Sequence, residues 1–131
     1  MWTYEQSTGK LYSPDGLHVA TGYAGGNGGA NPAGVNNHAM QDERNIGPLP
    51  VGAYVMDGVV SESHLGPMVI PLVYERSNQM FGRNGFYIHG DRSSPARSAS
   101  EGCIILPRAV REEMIASTDK QLVVIYIKGG L

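Results

Sequence analysis

Turn formers interrupt this chain too often for long helices: 18 glycines and 8 prolines fall among 131 residues, against a usual glycine share of roughly 7%. Glycine reaches backbone conformations that other residues avoid, and proline fixes φ and removes a hydrogen-bond donor. Each cluster therefore ends the element before it. Between clusters the apolar residues come in short runs rich in β-branched and aromatic members, which is the pattern of strands. The expectation is a mostly β fold, a sandwich or partly closed barrel, built as a single domain over residues 1–131.

Along the chain, WTYEQSTGKLY reads as a hairpin about an STG turn, with Trp2, Tyr4 and Gln6 on one face. SPDG (13–16) is a turn, and LHVATGYAG resumes a strand. Residues 25–50 are rich in Gly, Asn and Pro and carry no apolar period, so they form a long loop and a candidate substrate wall. VGAYVMDGVV (51–60) and PMVIPLVYE (67–75) read as strands joined by SESHLG, and Pro71 implies an edge or a bulge. FYIHG (86–90) and GCIIL (102–106) are short strands, and the polar loop 91–101 between them predicts antiparallel pairing. Pro107 opens one short helix, PRAVREEMIAS, with Leu106, Val110 and Met114 on its inner face and Arg111, Glu112 and Glu113 more exposed. QLVVIYIK then closes the chain as a buried strand.

Several function classes are excluded. Ten basic against twelve acidic residues give a formal charge of −2, which offers no footprint for nucleic acid or an anionic membrane. The longest aliphatic-aromatic run, LVVIYI at 122–127, falls well short of the roughly 20 residues of a membrane span. The first residues lack a basic segment followed by an apolar one, so synthesis in the cytoplasm without a signal peptide is expected. His18, His38 and His64 are scattered; His38 with Asp42 or Glu43 is the best of poor metal sites, and neither metal nor cofactor is expected. The loop glycines do not follow a phosphate-binding pattern.

The chemistry rests on Cys103, the single cysteine, and on His89. A lone cysteine is commonly a small buried hydrophobe. Against that reading, antiparallel pairing brings Cys103 toward His89, where an imidazolium lowers the thiol pKa and the ring serves as acid and base. Gly102 permits a tight turn that aims its own amide and that of Cys103 at a developing oxyanion. Ser100 either bonds near the nucleophile or finishes a turn, and Asp91 either orients the imidazole or forms a turn. Tyr23, Asn31 and Asn36 belong to the Gly/Asn loop, as groove wall or as its internal ties.

The pattern F-Y-I-H-G…S-x-G-C-I resembles the active-site signature of the YkuD-type L,D-transpeptidases. SEGCIIL (100–106), YAGGNGGANP (23–32) and GPLPVGAY (47–54) together resemble the DUF2778 family, which includes the Tlde1-like type VI secretion effectors. Glu101 stands where the transpeptidase signature has histidine, and Ile105 where many members carry arginine or asparagine. The resemblance implies an L,D-transpeptidase-like β fold with Cys103, His89, Gly102 and Ser100 in the catalytic site. Tyr23, Gly90, Asp91, Arg92 and Arg97 would then bind substrate, with Arg92 or Arg97 forking onto a stem carboxylate. It further implies attack on the bond between meso-diaminopimelate and D-alanine in peptidoglycan stems, giving carboxypeptidase, D-amino-acid exchange or crosslinking activity. An antibacterial effector acting in the periplasm of a target bacterium, with an immunity protein and a secretion-system carrier, follows from the same resemblance. The alternatives are a non-catalytic wall-binding or phage-tail module of this fold, and an endopeptidase using the same pair.

Overall fold

The N-terminal segment folds as its alternation requires. Strands β1 (Trp2–Glu5) and β2 (Lys10–Tyr12) pair antiparallel, and Trp2, Tyr4 and Gln6 all turn into the core. β3 (His18–Thr21) follows on β2, and Gly22 alone separates it from β4 (Tyr23–Ala24). The computed structural model describes residues 1–62, 65–92 and 97–128. His64, part of the SESHLG turn and the SSPA segment (93–96) of the polar loop lie outside them.

The remaining strands are β5 (Gly52–Met56), β6 (Val60–Glu62), β7 (Gly66–Tyr74), β8 (Tyr87–His89), β9 (Ile104–Ile105) and β10 (Gln121–Ile125). Their order in the sheet is β3-β2-β1-β10-β5-β7-β8-β9-β4, with β6 beside β7. The two ends of that path, β3 and β4, are joined through Gly22, so the sheet nearly closes into a barrel. The closing corner is tight: a Cβ on Gly22 would stand 1.9 Å from the Ile105 carbonyl oxygen. Inside lie Tyr4, Leu11, Tyr54, Ile70, Ile88, Ile104, Leu122 and Val124. The expected run 51–60 divides into β5 and β6 around Asp57 and Gly58, the latter at φ +79°.

Three expectations are corrected. β8 and β9 pair parallel, with Ile88 opposite Ile104 and His89 opposite Ile105, because the long connection returns the chain to the same end of the sheet. Pro71 is not on an edge: β7 is paired by β5 on one side and β8 on the other, and Pro71 sits where β7 passes from one partner to the other. Arg111 of the helix α1 (Arg108–Ala116) is buried rather than exposed. Its guanidinium donates to the carbonyls of Leu106 (3.1 Å), Pro67 (3.0 Å) and Met68 (2.8 Å) and so bolts α1 to β7. Met114 and Leu106 complete the inner face as the periodicity requires.

Candidate active site

Cys103 is presented by a turn with one hub. The Ser100 hydroxyl, 1% exposed, donates to the Cys103 carbonyl (2.7 Å) and accepts from the amides of Gly102 (3.0 Å) and Gly25 (2.8 Å). One donor and two acceptor sites are all a hydroxyl has, so Ser100 is fully used in holding the turn and tying it to the Gly/Asn loop. The Gly102 amide is thereby spent, which removes it from the expected oxyanion donors. Its carbonyl accepts from the Leu49 amide at 3.0 Å, and the Gly28 amide donates to the Ser100 carbonyl at 2.9 Å. Thus both ends of the 25–50 loop, which includes three short 3-10 turns, close on the cysteine turn.

The sulphur accepts from the Tyr87 amide at 3.4 Å. It lies in a cleft of about 250 Å³ lined by Arg44, Arg83, Phe86, Tyr87 and Glu101. Burial pushes the thiol up to about 11; the Glu101 carboxylate adds to the rise, while the amides of Tyr87 and Cys103 and the Arg83 guanidinium oppose it. The thiolate expected at rest is therefore replaced by a neutral thiol. Burial outweighs the nearby positive charge here.

His89 is 3% exposed. Its Nδ1 lies 3.0 Å from the Gly90 carbonyl oxygen. A carbonyl only accepts, so the bond places a proton on Nδ1. Extending the parallel register back one residue sets Cys103 level with Tyr87, two residues before the level of His89. One interstrand step and two residues of rise place the two α-carbons about 8 Å apart. The register therefore brings His89 and Cys103 onto neighbouring strands, by parallel rather than antiparallel pairing.

Sequence reasoning missed Arg83. It is 5% exposed and donates to the carbonyls of Gln41, Pro48 (2.8 Å), Gly47 (3.0 Å) and Glu101 (3.4 Å), with its Cζ 5.2 Å from the Phe86 ring centroid. Gly102, at φ +145°, is glycine for this reason: a Cβ there would stand 2.7 Å from Arg83 Nη2 and 2.8 Å from Phe86 Cε1. No local signal separates Arg83 from a surface arginine. Gln6, on the inner face its alternation predicts, has a fully buried amide that donates to the Leu49 carbonyl (2.8 Å) and accepts from His38 Nδ1 (2.7 Å). His38, the weak metal candidate, thus serves this network and stacks on Tyr126 at 3.7 Å.

The other named residues gather at the far end of β8. Tyr23 donates to Asp91 Oδ1 (2.6 Å) and accepts from the Ala99 amide (3.0 Å). Asp91 also accepts from the amides of Arg92 (2.9 Å) and Arg97 (2.8 Å), which makes it an organiser of its loop; these bonds outweigh its partial burial and lower its pKa. The His89 bond goes to the Gly90 carbonyl, so that oxygen orients the ring. Arg92 is exposed, whereas Arg97 and Gly90 line a second cleft. Asn31 is exposed and bonds Asn27, and Asn36 accepts from the Ala24 amide, so both tie the loop internally.

The Tlde1 domain matches residues 20–129, which runs from the second half of β3 past the end of β10 and covers every residue just described except Gln6. The chain belongs to the Tlde1 domain family. That is a family of type VI secretion effectors, with peptidoglycan and an immunity protein as its context. No curated protein and no solved structure matches the chain. Among the described residues of this Tlde1 domain, no helix is long and apolar enough to cross a membrane. Nor do three or more His, Cys, Asp or Glu side chains among them converge as metal ligands would.

Proposed function

We propose that this Tlde1 domain is a cysteine acyltransferase acting on the meso-diaminopimelate–D-alanine bond of peptidoglycan tetrapeptide stems. The observation that carries the reading is the Nδ1 bond of His89 to the Gly90 carbonyl, which aligns a buried imidazole as a base on the strand beside the one that Cys103 opens. The imidazole takes the thiol proton as sulphur attacks the stem carbonyl. The Cys103 amide, beside the sulphur, meets the charge on the carbonyl oxygen. The C–N bond then breaks, the imidazolium protonates the departing D-alanine amine, and a thioester remains. Water, a D-amino acid or a second stem amine, deprotonated by the same ring, releases it as shortened stem, exchanged stem or crosslink.

In a target bacterium's periplasm such trimming removes the donors of crosslinking, which fits an effector carried by a secretion system and held in check at home by an immunity protein. A second reading has its own support. The neutral, half-buried thiol with its pKa near 11 suits a wall-binding module that does no chemistry. Mass spectrometry of disaccharide-tetrapeptide incubated with the protein, beside Cys103→Ala, separates them. Loss or replacement of one D-alanine, absent with the variant, is expected. Unchanged masses for tetrapeptide, with or without D-amino acid, would leave the binding module. Cleavage of crosslinked dimers without loss of D-alanine would mark an endopeptidase.

A further inference from the structure

The parallel pair β8/β9 begins at the Cys103 cleft and ends at another. The second cleft, about 390 Å³, is lined by Tyr23, Asp91, Arg97, Pro107, Arg108 and Arg111 among others. From Tyr87 at the first cleft to Gly90 at the second is three residues of strand, about 10 Å.

The charges in this cleft do not balance. Three guanidinium groups against one carboxylate leave two positive charges. The carboxylate, Asp91, already accepts from the Tyr23 hydroxyl and the amides of Arg92 and Arg97. Arg111 is spent on three backbone carbonyls. Arg97 lies with its Cζ 5.0 Å from the Tyr23 ring centroid, which holds the planar fork in place. Arg108 has an exposed partner, Glu112, at 3.6 Å, a weak pair that a ligand can displace. Helix α1 also starts here, with no side chain capping it and no acid in its first turn. Cations at the positive end of a helix oppose its dipole, so this arrangement costs stability until an anion arrives. Beside burial, Arg108 lowers the Arg111 pKa, and Glu112 opposes that effect.

We propose that this second cleft binds a carboxylate of the peptide substrate, borne about three residue lengths from the carbonyl presented to Cys103. Arg97 takes the carboxylate through two parallel N–H donors, and Arg108 adds charge from the helix end. This rests on the reading of Cys103 as acting on a peptide stem. It assigns to that stem a path along the β8/β9 edge, held at both ends.

The test is calorimetric titration of the Cys103→Ala protein with a stem tetrapeptide and with the same peptide amidated at its carboxylates. We expect amidation, Arg97→Gln and Arg108→Gln each to weaken binding about tenfold, the scale of one exposed charge-assisted hydrogen bond. Neither substitution should weaken the amidated peptide further. Both side chains are exposed, so unchanged melting temperatures show that the variants fold. Equal affinity for the two peptides, equal losses for both in the variants, or no binding of the carboxylate peptide at millimolar concentration would overturn the assignment. If binding follows the expected pattern but wild-type protein releases no D-alanine, the cleft stands and acyl transfer fails. Release of D-alanine with no effect of amidation means the reverse.

Discussion

Replacing Gly102 by alanine tests the link between the cysteine turn and the buried arginine. Two costs add. At φ +145° a residue with a Cβ is strained by roughly 1–3 kcal/mol. The new methyl would also stand 2.7 Å from Arg83 Nη2 and 2.8 Å from Phe86 Cε1. Neither neighbour gives way freely, because Arg83 is bonded to four carbonyls and Phe86 is in the core. Overpacking of this kind costs roughly 1–3 kcal/mol more. The expected loss is about 4 kcal/mol, read in urea unfolding as a midpoint lower by about 2 M at an unchanged slope near 2 kcal/mol/M. Gly82→Ala is the control: φ is +74° and nothing lies within 4 Å of the added methyl, so only the conformational cost remains. If Gly102→Ala loses no more than Gly82→Ala, the reasoning about Arg83 is wrong.

Three further outcomes follow from the same turn. The Cys103 thiol, held near 11 instead of near 9, should be alkylated at pH 8 about a hundredfold more slowly than a free model thiol. An unfolded thiol ionises near pH 9 while the folded one stays protonated, so stability should be level below that pH. It should then fall by about 2–3 kcal/mol as pH rises toward 11. Cys103→Ala should remove that contribution from denaturation curves taken from pH 8 to 11, leaving the fall due to Tyr4, Tyr23 and Tyr54, whose burial raises their pKa values; rapid labelling, or equal slopes for the two proteins, would contradict the burial argument. Ser100→Ala strands two amides and a carbonyl in a buried turn. At roughly 1–3 kcal/mol per stranded group, thermal unfolding should show about 4 kcal/mol lost, and a loss under 1 kcal/mol would dismiss the hub.

Much of the architecture is legible along the chain. Alternation in WTYEQ marks the buried face of β1, the 3.6-residue spacing of Leu106, Val110 and Met114 marks the helix, and glycine and proline mark most of the ends. What misled were pairings and polar partners. A polar loop between FYIHG and GCIIL suits a hairpin, yet the chain returns in parallel, since only the barrel decides which end of the sheet the loop must reach. Arg111 lies on the polar side of the helical pattern, and its burial follows from three carbonyls contributed by β7 and the end of β9.

The sequence by itself determined a glycine-punctuated β chain with one short helix, the pairing of a lone cysteine with a histidine as candidates for chemistry, and the motifs that place it among Tlde1 domains. These are local or compositional properties, and period, turn chemistry and residue type report them directly. Only the tertiary structure decided that Ser100 serves the turn, that Arg83 fills the space Gly102 leaves, that burial raises the thiol pKa, and that three arginines gather at the end of β8. Each depends on burial and on groups dozens of residues apart. Desolvation and charge balance are properties of a closed three-dimensional environment, which the order of residues does not state.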